Sequence, residues 1–374
     1  MRSSCIGRRR FSPSWWWHPR RPEGLLILGA PVPHPSPGPP AYLADYSRAC
    51  DPRLREFLDR KGEGLASLPV DLRPAHALLR DYALRGGKRI RGALVLLGCE
   101  AAGGAREIAF DASLGIELLH AYLLIHDDFM DRDEIRRGGP TLHASLAKTA
   151  GEHLGGSIAI LLGSLCEAWA YELVLSSPGR ALEAARLLTE ALQQVITGQA
   201  LDLLAPLGPP LAAPGVLEVQ RLKTGSYSFE MPLRLGATLA GAAPEVLATL
   251  ERYARPLGQA FQIADDLLGT FGAPEMTGKP NASDLREGKR TLLLARALEM
   301  ATPADAAALR AGLGNPRADA EELRAVIERS GAARAARETA DALCQESLRA
   351  LAPLPAAVAD HLRDIALFSI ARAR

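Results

Sequence analysis

The feature that most constrains the fold is a succession of helix-length segments that begins at Tyr42. Ala, Leu, Arg and Glu dominate these segments, whereas Val and Ile are sparse, and this composition favours helices over strands. Gly and Pro cluster between the segments, where they mark helix ends. The pattern predicts an all-α protein, and the clearest helices are Ala112–Met130, Ile158–Leu175, Ala181–Leu203, Leu217–Leu239, Pro244–Leu268 and Leu292–Met300.

The segments follow one another without a long linker, so we predict a single large helical bundle over residues 42–374. Hydrophobic residues make up 48% of the chain and charged residues 23%, a balance typical of globular proteins with a packed core. No GxGxxG follows a strand and no Walker loop is present, which argues against a nucleotide-binding fold.

Residues 1–41 differ from the rest because they combine Arg8–Arg10, Trp15–Trp17 and a dense group of prolines. We predict a disordered extension, or a start codon assigned too far upstream. A twin-arginine export signal is the alternative, since Arg9 and Arg10 precede the short apolar run Gly24–Ala30. We expect no transmembrane segment, because a bilayer requires roughly 20 consecutive apolar residues.

Charge and cysteine usage limit the partners and the compartment. A formal net charge of +1 provides no global field that would hold nucleic acid, so any affinity for anions must come from local basic clusters. The five cysteines are scattered without a C-x-x-C pair, which argues against a zinc site or a disulfide framework. A reducing cytoplasm is the expected location.

An acidic motif ends the predicted helix Ala112–Met130, where the sequence reads His-Asp-Asp-Phe-Met-Asp. Asp127 and Asp131 are four residues apart, so on a helix they share one face and can hold the same ions, with Asp128 between them and His120 two turns earlier. Carboxylate oxygens favour magnesium over zinc, and a bound cation would offset the repulsion between them. The alternative is a solvated helix end.

A second acidic pair, Asp265-Asp266, closes another apolar helix. Two acidic helix ends in one bundle can face each other across a cavity, which is a common way to build a metal site in a helical scaffold. Alone, this pair would be interpreted as part of the surface, but its recurrence favours metal binding.

Basic residues stand beside glycines or hydroxyl groups at four other places. Such neighbours suit phosphate oxygens, although each cluster in isolation is more typical of a solvated turn. Together with the two acidic pairs they predict one diphosphate held through magnesium and a second held by Lys, Arg and His alone. The clusters contain Lys88, Arg89 and Arg91; Arg136 and Arg137; Lys223 and Thr224; and Lys279, Lys289 and Arg290.

The motifs as a set resemble those of the trans-isoprenyl diphosphate synthase family, the farnesyl and geranylgeranyl diphosphate synthases, over about residues 54–374. The stretch Gly86–Gly92, GGKRIRG, is similar to the family's isopentenyl diphosphate loop, and DDFMD to its first aspartate-rich motif. The second motif, DDLLG, has Gly269 where many relatives carry a third aspartate. The resemblance implies the isoprenoid synthase fold, a helical bundle around a central active-site cavity.

The resemblance also implies a role for each candidate residue. The homoallylic diphosphate would be bound by Lys88, Arg91, His120 and Arg137. The allylic diphosphate would be bound by Arg136, Lys223, Lys279 and Lys289. Magnesium, as three ions per site, would be held by Asp127, Asp128, Asp131, Asp265 and Asp266. Thr224, Gln199 and Gln262 would direct oxygen dipoles toward the developing cation.

The implied reaction is ionisation of the allylic diphosphate, attack by isopentenyl diphosphate on the carbocation, and loss of a proton, which the released diphosphate would take. The family usually forms homodimers. A terpene cyclase would share the bundle and the first motif but has no use for Lys88, Arg91 and Arg137. An inactive regulatory subunit is a further alternative, yet both acidic pairs are intact here.

Tyr122 bears on product length because it precedes Asp127 by five residues, about 7.5 Å along a helix. In the family this depth helps to form the floor of the tail pocket, and an aromatic residue there resembles synthases of the twenty-carbon product. We therefore expect geranylgeranyl diphosphate, with farnesyl diphosphate as the alternative because Leu123 lies beside Tyr122. Tyr122 as a plain core residue is the third possibility.

Overall fold

A computed structural model describes residues 38–65, 67–208, 212–272, 285, 288–315 and 317–371 of the chain. The first α-helices are α1 (Ala41–Glu63), α2 (Arg73–Leu84), α3 (Ile90–Ala101), α4 (Arg106–Asp131), α5 (Leu142–Ala150), α6 (Glu152–Ser176) and α7 (Ala181–Leu204). They are followed by α8 (Ala213–Gln220), α9 (Met231–Leu239), α10 (Pro244–Phe271), α11 (Leu292–Met300), α12 (Pro303–Gly312), α13 (Ala320–Arg329), α14 (Ala332–Arg349) and α15 (Ala356–Ile370). The all-α prediction is confirmed.

A two-stranded antiparallel hairpin is the β-structure of the described residues. Strand β1 (Ile135–Arg136) pairs with β2 (Gly139–Pro140), in a register that sets Ile135 opposite Pro140. Arg137 and Gly138 have φ angles of 52° and 72°, so both central residues adopt the left-handed conformation that a tight hairpin turn requires. The turn brings the two predicted phosphate-binding arginines, Arg136 and Arg137, next to the end of α4.

The core is organised around α4, which is buried on nearly all sides between Ala112 and Leu119. A helix that is apolar around its whole circumference belongs in the interior of a bundle. Helix α4 packs against α3 and α6, and the polar residues that follow its apolar part therefore emerge inside the protein rather than on its outer surface. This placement carries the acidic motif to the interior.

Helices α4 and α6 are also long and apolar enough to cross a membrane, judged by length and composition alone. Of the relevant 18-residue windows, 72% of α4 and 44% of α6 are buried within the protein. This is weak evidence for a membrane span, because the core helix of a bundle has the same composition.

The predicted helix Leu217–Leu239 is the clearest departure from the sequence-based boundaries. The chain is α-helical to Gln220, forms a π-helix over Arg221–Glu230, and becomes α-helical again in α9. A Cβ atom at Gly198 of α7 would lie 2.3 Å from the backbone nitrogen of Lys223, so α7 approaches the backbone of the π-helix closely. Wide π turns are frequent at functional sites. Hydrophobic periodicity does not reveal them.

The predicted extension at residues 1–41 lies almost wholly outside the described residues and stays a prediction. The described chain begins at Gly38, and α1 begins at Ala41. The described residues fall within one compact unit.

Candidate active site

A deep cavity of about 1220 Å³ opens between α4, α7, the π-helix, α10, the β-hairpin and the loop before α3. It brings together most of the predicted site residues of the described chain. Those that line it are Lys88, Arg91, His120, Tyr122, Asp127, Arg136, Arg137, Gln199, Lys223, Thr224, Gln262 and Asp265. Asp128, Asp131, Asp266 and Lys289 lie outside its lining, and Lys279 lies outside the described residues.

Asp127 is the acid of the first motif that reaches the cavity. Its Oδ1 atom accepts a hydrogen bond from Nε2 of Gln199 at 3.2 Å and lies 3.5 Å from Nζ of Lys223. Its Oδ2 atom lies 3.5 Å from Nη2 of Arg136. The carboxylate therefore sits among positive and amide groups supplied by α7, the π-helix and the hairpin.

Two lysines from outside α4 form ion pairs with acidic side chains near Asp127. Nζ of Lys289 lies 2.9 Å from Oδ2 of Asp131, across 158 residues of sequence. Nζ of Lys223 donates a 2.6 Å hydrogen bond to Oδ2 of Asp202. Burial opposes the charge of Lys223, but Asp127 and Asp202 together raise its pKa, so the ammonium stays protonated at neutral pH.

Asp128 is fully buried, and both of its carboxylate oxygens are hydrogen-bonded to other side chains. Oδ2 accepts a 2.6 Å hydrogen bond from the Tyr82 hydroxyl, and Oδ1 accepts one from Nε of Arg136, also at 2.6 Å. Burial raises the pKa of the Asp128 carboxyl, and the Arg136 guanidinium opposes that shift. Arg136 also contacts Asp133 at 3.1 Å. Its guanidinium therefore connects the acidic motif to the hairpin.

In the second acidic pair, as at Asp127 and Asp128, one residue lines the cavity and its neighbour is buried. Asp265 lines the cavity, whereas Asp266 is buried and accepts hydrogen bonds from Nε2 of Gln220 at 2.6 Å and Nε2 of Gln262 at 3.0 Å. Asp127 at the end of α4 and Asp265 near the end of α10 thus share one cavity. The prediction that both acidic helix ends meet at one site agrees with this geometry for one residue of each pair.

A basic group occupies another part of the cavity wall. Nη2 of Arg91 donates to the Tyr227 hydroxyl at 3.0 Å and to Oγ of Ser228 at 2.7 Å. Arg137 donates from Nη1 to the carbonyl oxygen of Gly86 at 2.6 Å. Lys88 lies over the Phe368 ring of α15, with Nζ 4.6 Å from its centroid.

His120 lies between these two arginines and accepts from both. Nε2 is 3.3 Å from Nη1 of Arg91 and 3.4 Å from Nη2 of Arg137, and a guanidinium can only donate. The imidazole is therefore neutral, with its proton on Nδ1, which faces the Tyr227 hydroxyl at 3.4 Å. Burial lowers the pKa of His120 well below its usual value, and the nearby arginines lower it further.

Tyr122 also lines the cavity and is only 7% exposed. Its ring meets the His126 ring edge-on at 4.6 Å between centroids. Nε2 of His126 lies 3.0 Å from the carbonyl oxygen of Ile160 on α6, so Nε2 carries a proton and donates it. A Cβ at Gly163 would be 2.7 Å from Cδ2 of His126, so α6 leaves just enough room for this ring pair.

Comparison with known proteins shows which family this arrangement of residues belongs to. The family model described as polyprenyl synthetase matches residues 74–330. The chain belongs to this family. It is therefore a prenyltransferase of the trans-isoprenyl diphosphate synthase type, as the motifs predicted.

Similar proteins cover much of this polyprenyl synthetase. The short chain isoprenyl diphosphate synthase of Methanothermobacter thermautotrophicus is 35% identical over 296 residues, which are 78% of this chain and 85% of the relative. The geranylfarnesyl diphosphate synthase of Aeropyrum pernix is 40% identical over 226 residues, or 58% and 68% of the two chains. A crystal structure of geranylgeranyl pyrophosphate synthase from Corynebacterium glutamicum, complexed with isoprenyl diphosphate and magnesium, superposes with a TM-score of 0.82 at 35% identity. That comparison covers 88% of this chain and 99% of the other.

Sequence reasoning missed several residues that shape the site of this polyprenyl synthetase. Tyr82 and Asp202 are partners of predicted site residues, while Glu117 and Tyr227 line the cavity themselves. Glu117 had a detectable signal, since an acid in the middle of an apolar helix requires a buried partner. The signal for Tyr82 and Asp202 is absent from local sequence, because their partners are 46 and 21 residues away.

Proposed function

We propose that this polyprenyl synthetase condenses isopentenyl diphosphate with an allylic diphosphate, in a magnesium-dependent reaction, to give geranylgeranyl diphosphate. One observation carries the proposal. A single cavity is lined by the basic residues Lys88, Arg91 and Arg137, by the acids Asp127 and Asp265, and by Tyr122 with neighbouring apolar residues. Two anionic head groups and a hydrocarbon tail match these three environments.

The donor atoms fit magnesium. The acids of both motifs present only carboxylate oxygens, which are hard ligands that suit magnesium and not zinc. Among the described residues, no group of three or more His, Cys, Asp or Glu side chains converges on one point. Proteins commonly hold magnesium through one or two carboxylates together with substrate phosphates. Asp127, Asp131 and Asp265 are the proposed ligands, supported by Asp128 and Asp266.

The chain's own groups account for the remaining chemistry. Lys223 and Lys289, with Arg136, lie among the acids where the allylic diphosphate departs, and their positive charge opposes the negative charge that develops there. Bound magnesium supplies further positive charge to the leaving group. Thr224, Gln199 and Gln262 line the cavity, and we propose that their oxygen atoms stabilise the developing cation. Apolar wall residues such as Leu124 and Phe261 exclude water from it.

Product length is proposed to be set at Tyr122. Its ring packs against the His126 ring, and both side chains line the cavity. We propose that the growing tail meets the Tyr122 ring, which packs against His126 and, through it, against α6. The similar proteins carry names for several short-chain products, so the twenty-carbon product rests on Tyr122 and on the Corynebacterium glutamicum protein.

We also propose a homodimer. Helix α6 exposes Leu154 and Leu161, seven residues apart, with 54% and 66% of their surface accessible. Half-buried Ile158 lies between them, and half-buried Leu165 lies one turn after Leu161. Such an apolar stripe on a helix face is typical of a surface that another chain covers. Light scattering would show a dimer for the native chain and a monomer for Leu161→Glu, whereas a monomeric native protein would reject the proposal.

The decisive experiment is a product assay with purified protein, magnesium, labelled isopentenyl diphosphate and dimethylallyl, geranyl or farnesyl diphosphate as primer. We expect all three primers to be extended to the twenty-carbon product, and activity to disappear with a chelator and return with magnesium. A dominant fifteen-carbon or twenty-five-carbon product would reject the product assignment. A terpene cyclase would release hydrocarbon without consuming isopentenyl diphosphate, and an inactive regulatory subunit would consume neither substrate.

A further inference from the structure

The segment that carries Lys88 and Arg91 has an unusual backbone. Gly86, Gly87 and Arg89 have φ angles of 48°, 139° and 47°. A left-handed conformation is unfavourable for Arg89, because its Cβ crowds the backbone, so other contacts must hold it in place. Arg89 immediately precedes α3, which begins at Ile90.

Glu117 of α4 holds this segment at two points. Its Oε2 accepts a hydrogen bond from Nη1 of Arg89 at 3.1 Å, and its Oε1 accepts one from the backbone N–H of Gly92 at 2.9 Å. These contacts lie on either side of Arg91. Glu117 is only 5% exposed and Arg89 only 6%, so the carboxylate and guanidinium compensate each other in a largely dry environment.

Arg89 has further contacts that fix its position. Its Nε lies 3.1 Å from Oδ1 of Asp51 on α1, and its Nη2 donates to the carbonyl oxygen of Ala83 on α2 at 3.2 Å. The guanidinium therefore joins α1, α2 and α4 beneath the loop. Because these N–H groups donate to other groups of the protein, we assign Arg89 the role of holding the loop in place.

The same helix also orients the Arg91 side chain. Glu117 and His120 are three residues apart on α4 and so lie on one face. Glu117 fixes the backbone around Arg91, while Nε2 of His120 lies 3.3 Å from the Arg91 guanidinium. A phosphate ligand that finds Arg91 and Lys88 already ordered does not have to offset the entropy of ordering them.

We propose that Glu117 is a positioning residue for the homoallylic diphosphate. It acts through Arg89 and Gly92 to keep Lys88 and Arg91 directed into the cavity, and it does not touch the substrate itself. This inference rests on the proposed function, in which these two side chains bind isopentenyl diphosphate. It also explains how an acid is tolerated in the wall of an anion site, since Arg89 balances its charge.

The test is a comparison of Glu117→Gln with the native enzyme. The glutamine oxygen can still accept from Gly92, but its amide group faces the Arg89 guanidinium, donor against donor. We expect KM for isopentenyl diphosphate to rise roughly 10- to 100-fold, as for a misplaced binding group, with KM for the allylic substrate within about twofold of the native value. Glu107→Gln, an exposed acid on the same helix, should leave both values unchanged.

Equal increases in both KM values, or a lower melting temperature with unchanged KM values, would overturn the proposal, because either result indicates a role in folding alone. Glu117→Asp keeps the charge and should restore part of the affinity, so it replaces Glu117→Gln if that variant does not fold. Calorimetric binding of inorganic pyrophosphate without magnesium gives a readout that is independent of the reaction. Weaker pyrophosphate binding by the variant supports the inference even if the native enzyme makes another product, and unchanged binding rejects it.

Discussion

The Tyr82 hydroxyl of α2 donates a 2.6 Å hydrogen bond to Oδ2 of Asp128 on α4, and this contact joins the acidic motif to the helix that precedes Lys88 and Arg91. Both groups are buried. Burial raises the pKa of Tyr82 well above its usual value, and the neighbouring Asp128 charge raises it further, so the hydroxyl remains a donor throughout the accessible pH range.

Replacing Tyr82 by Phe should lower the free energy of unfolding by about 1–3 kcal/mol, because one oxygen of the buried Asp128 loses its partner. Urea denaturation measures the change. Tyr42→Phe is the matched control, since the Tyr42 hydroxyl donates to the partly exposed Glu100 at 3.1 Å, where water can replace it. Equal losses in the two variants would contradict the special role of the Tyr82 contact.

Asp127→Ala should reduce turnover by about two orders of magnitude or more while leaving the melting temperature close to native. The reason is that Asp127 lines the cavity as a proposed metal ligand and does not fill the core, and a catalytic metal contributes several kcal/mol. Steady-state kinetics and thermal melts check both parts. Asp111→Ala, an exposed acid of the same helix, should have native kinetics. Unfolding of the Asp127 variant would show that the residue supports the fold instead.

Tyr122→Ala should lengthen the main product, because it removes a ring that lines the cavity and that we propose as the floor of the tail pocket. Chromatography of the dephosphorylated products measures chain length. Tyr122→Phe retains the ring and should keep the native product. An unchanged product spectrum for Tyr122→Ala would reject the assignment of Tyr122 as the floor of the tail pocket.

Gly163→Ala should shorten the main product, although Gly163 is on α6 and not in the cavity lining. A methyl group there would lie 2.7 Å from Cδ2 of His126, so that ring must shift, and we expect the shift to disturb the Tyr122 ring that packs against it. The same chromatographic assay applies, with the exposed neighbour Ser164→Ala as control. A native product spectrum would mean that His126 can move without disturbing Tyr122.

The lowered pKa of His120 leads us to expect that the stability of the ligand-free enzyme depends on pH. Its pKa is lowered in the folded state by burial and by Arg91 and Arg137, so below about pH 6.5 the unfolded chain takes up a proton that the native state excludes. The neutral His120 therefore contributes to the free energy of unfolding at neutral pH, and this contribution is lost as the pH falls below about 6.5. The loss is no more than about 1.4 kcal/mol per pH unit.

Urea denaturation of the native protein and of His120→Gln between pH 7.5 and 5.5 would measure this contribution. The native protein should lose stability more steeply than the variant as the pH falls. Parallel curves would show that His120 titrates alike in both states, and NMR of the imidazole nitrogens would then detect an imidazolium where we expect the Nδ1–H tautomer.

Much of the fold followed from local signals. The apolar segment that became α4 was predicted from Ala112 to Met130, within the observed helix Arg106–Asp131, and α11 was predicted at its observed limits. Helix periodicity depends on residues within a few turns, so sequence alone reveals it. The π-helix at Arg221–Glu230 was not predicted, because its wide turns lie against close neighbours that are distant in sequence.

The sequence by itself determined the helical class, the acidic and basic motifs and the family, because each is written in spacings of a few residues. Tertiary structure alone decided which acid of each pair faces the cavity. Asp127 and Asp265 reach it, while Asp128 and Asp266 are held by Tyr82, Arg136 and two glutamines. It also decided that Glu117 meets Arg89. Adjacent residues on a helix point in directions about 100° apart, so packing against other helices determines which one reaches the interior site.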